Sequence, residues 1–259
     1  MTLMELFGCA FITFGPPFAL FVFTIARDPM RVILFTASAF FWLCALLLSS
    51  ILWYAVVPLR DYLVFGLVFS VLLQELFRLL FYKVLRKAND GLLAVSQQTT
   101  AQHVTPKDFS NRHIMAYVSG LGFGVIAGTF SIVNVLADMS GPGTIGIQGD
   151  SKYFFWTSAC LSLCIILLHT SWGVIFSSAM DNKEWLRVAL VVVAHMFFSC
   201  MTLLNQASSS SNSHVYLGSL IPAFLTLFLC GTLAFYTAGG SLVNLKTAFV
   251  CRKTRYEID

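Results

Sequence analysis

The sequence predicts an all-α membrane protein, in which residues 1–240 form one domain, a bundle of seven transmembrane helices. Three observations lead to this fold class. Of the 259 residues, 58% are hydrophobic and only 11% are charged, against about 25% charged in an ordinary soluble domain. The mean hydropathy is +0.80. Because a soluble fold must cover its exterior with polar groups, this composition excludes one.

The apolar residues occur in seven long runs. A bilayer core about 30 Å thick requires about 20 apolar residues per helix. Each run is continuously apolar, without the alternation typical of membrane strands. The second and third runs are separated only by a short turn that contains Pro58 and Arg60. The predicted spans are residues 3–26, 32–57, 62–82, 114–137, 153–178, 187–205 and 215–239.

The basic residues predict the orientation of the bundle. The first span has no basic segment before it, and Arg27 and Arg31 follow it, which places the N-terminus outside the cytosol. Seven spans then place the C-terminus and the tail 241–259 in the cytosol. In this orientation all Lys and Arg residues fall on the cytosolic side except Arg60, Lys152 and the intramembrane Arg78. The basic charge therefore indicates topology, and no nucleic-acid partner is predicted.

The first span contains Pro16 and Pro17, and the seventh contains Pro222. We expect these prolines to kink their helices.

The third span carries Gln74, Glu75 and Arg78 on one face, at spacings of three and four residues. An ion pair within this helix lowers the cost of burying both charges. Such a pair either anchors the helix or belongs to a polar cluster that fixes helix arrangement or receives a polar segment of a partner.

The fourth span contains two overlapping G-x-x-x-G motifs, formed by Gly120, Gly124 and Gly128. Glycine at every fourth position allows another helix to approach closely along one face. The motif serves packing within the chain or contact with a helix of a partner, and the sequence leaves both alternatives open.

The fifth and sixth spans each contain one intramembrane histidine, His169 and His195. At 1.5 Å per residue, these histidines and Glu75 all lie about 12–14 Å from the inner boundary, in one layer. Two alternatives follow: a structural hydrogen-bonded centre, or a zinc site like those of seven-helix membrane hydrolases. Since no third His or Asp lies at this depth, we favour the structural role and predict no metal and no cofactor.

The polar segments between spans are short. Residues 88–113 are predicted to be a mobile cytosolic linker, and 138–152 and 206–214 to be outside loops. Cys251, beside Arg252 and Lys253, is a free cysteine or a palmitoylation site.

Common catalytic motifs are absent from the sequence. It contains no Walker A loop, G-x-S-x-G, H-E-x-x-H or C-x-x-C, and no intramembrane Asp pair for an aspartyl protease. The D-R-Y and N-P-x-x-Y motifs of G-protein-coupled receptors are missing too. The matched repeats of many transporters are also missing. The sequence therefore does not support an aspartyl protease mechanism in this chain, whereas transport is less easily excluded.

Several long segments together resemble the anterior-pharynx-defective family, the seven-span subunit of gamma-secretase. The resemblance runs through nearly all spans and is carried by FGCAFITFGPPFAL, DPMRVI, SVLLQELFRLLFYKVLRKA, AYVSGLGFGVIAGTFSIVNVLAD, GPGTIGIQGDS, IILLHTSWGVIF and TAGGSL. The sequence departs from the vertebrate pattern at the short turn 58–61, at Gln148, at Lys152, in the 88–113 segment and in the tail.

The resemblance implies a non-catalytic scaffold of a membrane-embedded aspartyl protease complex. In this family, the partners are nicastrin, presenilin, which supplies both catalytic Asp residues, and the small presenilin enhancer subunit. The complex cleaves type I membrane proteins such as Notch and amyloid precursor protein, in membranes from the endoplasmic reticulum and Golgi to the plasma membrane and endosomes. The resemblance ties Gly120, Gly124 and Gly128 to assembly, and His169 and His195 to assembly and activity. It also implies that the bundle holds the presenilin C-terminus in a cavity.

Overall fold

The computed structural model describes residues 3–59, 62–98, 111–140, 153–206, 215–241 and 243. Within these ranges the chain forms seven α-helices and a single turn of 3₁₀-helix at Val57–Leu59, and no strand occurs. All seven helices are long and apolar enough to cross a membrane, which confirms the predicted fold class. The helices are α1 Leu3–Thr24, α2 Pro29–Ala55, α3 Leu63–Gln98, α4 Arg112–Ser140, α5 Phe154–Asn182, α6 Trp185–Gln206 and α7 Val215–Thr237.

The turn between α1 and α2 shows why α2 begins three residues earlier than predicted. Asp28 is the N-cap, and its side chain accepts a hydrogen bond of 2.9 Å from the backbone N–H of Met30. Pro29 occupies the first helical position, where no backbone N–H is needed. An ion pair of 3.1 Å between Asp28 and Arg31 lies over the same turn. The cap therefore fixes the start of α2.

Helix α3 extends well beyond its predicted end at residue 82. It continues to Gln98, so the predicted linker is wrong over residues 88–98. Leu, Lys, Arg, Ala and Gln, which make up most of residues 83–98, are strong helix formers, and Asn89 is buried against the rest of the chain. The remainder of the predicted linker, like most of the two predicted outside loops, the C-terminal tail and Cys251, lies outside the described residues.

Helix α5 lies at the centre of the bundle. It packs against α1, α4, α6 and α7, and 78% of its apolar stretch is buried, against 17–44% in the other six helices. Trp172, Leu168, Ile166 and Ile175 of α5 are fully buried. The other helices instead expose large apolar side chains, such as Phe40 of α2, as lipid-facing surfaces do. A polar group on α5 is therefore surrounded by protein.

Candidate functional site

The core of the site is an ion pair within α3. Arg78 Nε lies 3.1 Å from Glu75 Oε2, and Arg78 Nη2 donates to Glu75 Oε1 at 3.2 Å. Both side chains are only 6% exposed. Their spacing of three residues places them on one face of the helix. The intrahelical ion pair expected from the sequence is therefore present, and it faces the interior of the bundle.

Two histidines from other helices complete this network. His195 Nδ1 of α6 lies 2.7 Å from Glu75 Oε1. Arg78 Nη2 lies 2.8 Å from Nδ1 of His169 on α5, and Arg78 Nη1 lies 3.4 Å from its backbone oxygen. The two imidazole rings are 4.9 Å apart and nearly perpendicular. Glu75, Arg78, His169 and His195 are hereafter called the polar cluster.

Aromatic rings enclose the polar cluster. The Trp172 ring lies 4.7 Å from that of His195 and 5.3 Å from that of His169. Arg78 stands over the ring of Phe123 on α4, at 5.4 Å from its centre, where the face of the ring attracts a cation. These rings surround the polar cluster with apolar atoms, and electrostatic interactions are stronger in such surroundings.

The hydrogen bonds define what the histidines can do chemically. Arginine has donors only, so His169 Nδ1 accepts from Arg78 and its ring proton lies on Nε2. The Glu75 carboxylate accepts from His195 Nδ1–H. Both Nδ1 atoms are thereby occupied and His169 Nε2 carries a proton, so of the four ring nitrogens only His195 Nε2 keeps a lone pair for a cation. The described part of the chain brings no three His, Cys, Asp or Glu side chains together as metal ligands. The arrangement favours the structural role.

Gln74 lies next to Glu75 in α3, but its hydrogen bonds go to residues outside the polar cluster. Its Oε1 accepts from Trp42 Nε1 of α2 at 3.0 Å, and its Nε2 donates to Ser70 Oγ at 3.1 Å. It therefore joins α3 to α2. Gln74 also lines a cavity of about 570 Å³ between α2, α3 and α6. The other polar residues of this cavity are Ser49, Ser50, Ser70, Ser199 and Thr202.

The three predicted glycines of α4 face α5 of the same chain. A Cβ on Gly120 would lie 2.8 Å from the backbone oxygen of Thr170 and 2.9 Å from that of His169. A Cβ on Gly124 would overlap the backbone oxygen of Ile166, and one on Gly128 would overlap its side chain. The glycines therefore pack within the chain, which is one of the two alternatives that the sequence left open. Helix α5 occupies the glycine face of α4.

Two further glycines of the same contact region were not singled out from the sequence. Gly173 of α5 faces Gly120, and a Cβ on it would lie 2.7 Å from the Gly120 Cα. Gly122 faces the opposite way, where a Cβ would overlap Ser38 Oγ and the backbone oxygen of Phe35 on α2. The sequence does carry a signal for a second close contact. The pattern G-x-G-x-G at 120–124 places glycines on two sides of a helix. Helix α4 is therefore closely packed between α2 and α5.

A second ionic contact joins α3, α4 and α5 at the predicted cytosolic end. The Tyr82 hydroxyl donates to Asp181 Oδ1 at 2.5 Å, and Arg86 Nη2 donates to Asp181 Oδ2. Arg112 Nη1 of α4 lies 3.9 Å from the same oxygen. Asp181 was not predicted as a site residue from the sequence. The available indication is that Tyr82 and Arg86, four residues apart, share one face of α3. This group is hereafter called the Asp181 contact.

Comparison with known proteins identifies the family. The sequence model described as "Aph-1 protein" matches residues 4–241. The chain belongs to the Aph-1 family. Gamma-secretase subunit Aph-1 of Drosophila melanogaster is 52% identical over 252 residues, which cover 97% of this chain and 100% of that protein. Gamma-secretase subunit Aph-1b of Danio rerio is 48% identical, covering 97% and 95%. Gamma-secretase subunit APH-1B of Homo sapiens is 43% identical, covering 99% and 97%.

The Aph-1 match confirms the family resemblance seen in the sequence. The matched residues 4–241 contain the whole polar cluster and all five glycines of the α4 contacts. The described helices make the chain a multi-pass membrane protein.

Proposed function

We propose that the chain is a non-catalytic scaffold and stabilising subunit of the gamma-secretase complex. The observation that carries this proposal is the match, over nearly its full length, to proteins named gamma-secretase subunit Aph-1. The site supports it as well. The four charged or ionisable side chains of the polar cluster bond to one another, so their interactions hold α3, α5 and α6 together. Such a site stabilises a bundle and has no evident means of activating a substrate.

The proposed partners are nicastrin, presenilin and the presenilin enhancer subunit. Presenilin would supply the two catalytic Asp residues. This chain would hold presenilin in place during cleavage of type I membrane proteins such as Notch and amyloid precursor protein. Asp181, which lies near the end of α5, is engaged by Tyr82 and Arg86 and is not available as half of a catalytic pair. The cavity between α2, α3 and α6 is our proposed place for the presenilin C-terminus. The proposed locations are the endoplasmic reticulum, Golgi, plasma membrane and endosomes.

Co-purification of the full chain with histidine variants tests this proposal. We expect nicastrin and presenilin to co-purify with the wild-type chain in fixed proportion. His169→Ala and His195→Ala each leave a buried hydrogen-bonding group without its partner, which costs about 1–3 kcal/mol. We therefore expect each variant to yield severalfold less assembled complex, with metal content unchanged on elemental analysis.

The matched control is His113→Ala, because His113 is exposed at the start of α4 and contributes nothing to the polar cluster. It should assemble like the wild type. Recovery of a stable monomer that contains stoichiometric zinc and hydrolyses a substrate would contradict the proposal and support the membrane hydrolase instead.

A further inference from the structure

We infer that a small cavity between α3, α4 and α5 binds one water molecule, which joins the polar cluster to the Asp181 contact. The cavity has a volume of about 20 Å³ and lies beside Arg78, Tyr82, Ser119 and Ser177. One water needs about 10–15 Å³ and two to four polar partners. The volume is sufficient for one water.

Arg78 supplies the first polar partner. A guanidinium has five N–H groups. Nη2 bonds to Glu75 Oε1 and His169 Nδ1, and one Nη1 hydrogen faces the His169 backbone oxygen. Nε lies 3.1 Å from Glu75 Oε2 as an ion pair but has no hydrogen-bond partner among the described residues. Nε–H and the second Nη1 hydrogen are therefore left without an acceptor there, on a side chain that is 6% exposed. Because a buried donor without an acceptor is costly, an acceptor is needed beside Arg78, and Arg78 lines the cavity.

The other polar partners come from all three helices. For Ser177 of α5 the structure records no hydrogen bond to any described residue, so its hydroxyl is free to donate and accept. Ser119 Oγ of α4 donates to the Ala116 backbone oxygen at 3.0 Å, which leaves its lone pairs free. The Tyr82 hydroxyl donates to Asp181 and receives a hydrogen bond from Arg86, so its oxygen can accept from a water only through its second lone pair. A water that accepts from Arg78 therefore has acceptors for both of its hydrogens.

The lining of the cavity explains why it exists. Gly120 and Gly173 line it, and the absence of their side chains leaves the space open. Phe81, Leu85 and Phe123 form the apolar part of the lining. A water here would link Arg78, through Tyr82, to Asp181. The polar cluster and the Asp181 contact would then form one hydrogen-bonded structure through the inner half of the bundle.

A high-resolution structure of the full chain, in the complex in which it purifies, tests this inference. The wild type should show a density peak within hydrogen-bond distance of both Arg78 and Ser177. Ser177→Val replaces the hydroxyl by a methyl group in the cavity. It should remove the peak and lower the Tm by a few degrees, whereas Ser178→Val, one residue along and outside the lining, should do neither.

Two outcomes would overturn the inference. One is an empty cavity in a wild-type map that resolves other buried waters, and this result is decisive even if Ser177→Val fails to fold. The other is a peak that persists unchanged in Ser177→Val, because the water would then not depend on this hydroxyl. Neither outcome bears on membership of a protease complex, which co-purification decides separately.

Discussion

Gly124→Ala is expected to destabilise the bundle strongly, although alanine is the better helix former. The added Cβ would overlap the backbone oxygen of Ile166 on α5. A backbone atom of a packed helix cannot move aside as a flexible side chain can, so α4 and α5 must separate. Overpacking of this kind costs about 1–3 kcal/mol, occasionally more. The loss should appear as a lower Tm in detergent and as severalfold less assembled complex.

The control for this substitution is Gly15→Ala. Gly15 also lies inside an apolar helix, but a Cβ on it would have no atom within 4 Å. The same chemical change should therefore leave Tm and yield close to wild type. If Gly124→Ala were as stable as Gly15→Ala, the close contact of α4 with α5 would be wrong.

Glu75→Leu is expected to have the largest effect in the polar cluster. It leaves the Arg78 guanidinium buried without its carboxylate and deprives His195 Nδ1 of its partner. Breaking a buried ion pair by removing one partner costs about 3–5 kcal/mol, because an uncompensated charge remains. We expect most of the variant chain to be lost before assembly. Tm and the yield of chain after membrane extraction measure the effect.

A double variant separates the cost of the unpaired Arg78 charge from the other effects of removing Glu75. Replacing both residues, Glu75→Leu with Arg78→Leu, removes the ion pair entirely, and such replacements are often close to neutral. The double variant should thus be more stable than Glu75→Leu alone, despite the hydrogen bonds lost by both histidines. A double variant less stable than the single one would show that the unpaired charge is not the main cost.

The chain offers a matched ion pair in an exposed position. Glu184 and Arg187 have the same spacing of three residues and a separation of 2.9 Å, but their side chains are 39% and 42% exposed. Exposed pairs contribute about 0–1 kcal/mol. Glu184→Leu should therefore change Tm little. If Glu184→Leu lowered the Tm as much as Glu75→Leu does, burial would not explain the cost of breaking the Glu75–Arg78 ion pair.

The helices and the charged members of the site follow from local properties of the sequence. Seven continuous apolar runs determine the seven helices, because a lipid-facing backbone must satisfy its hydrogen bonds within each segment. Glu75, Arg78, His169 and His195 are recognisable because ionisable groups are costly in lipid. Their common depth follows from the helical rise. The end of α3 was missed because hydropathy marks where apolar residues stop, not where the helix stops.

The contacts between helices could not be predicted in the same way. Glu75 and His195 are 120 residues apart, and Tyr82 and Asp181 are 99 apart. Their pairing depends on which helices are neighbours, and apolar runs carry no such information. The glycine face illustrates the limit. The sequence shows that a helix approaches α4 at Gly124, whereas only the structure shows that this helix is α5.

The most direct test of the central claim is restoration of gamma-secretase cleavage in cells that lack their own Aph-1 subunit. Expression of this chain should restore release of the cleaved fragments of a type I substrate, together with presenilin that co-purifies with the chain. The Glu75→Leu variant should fail in the same cells. Full membrane insertion of the wild-type chain at normal abundance, with no cleavage restored and no presenilin bound, would contradict the claim.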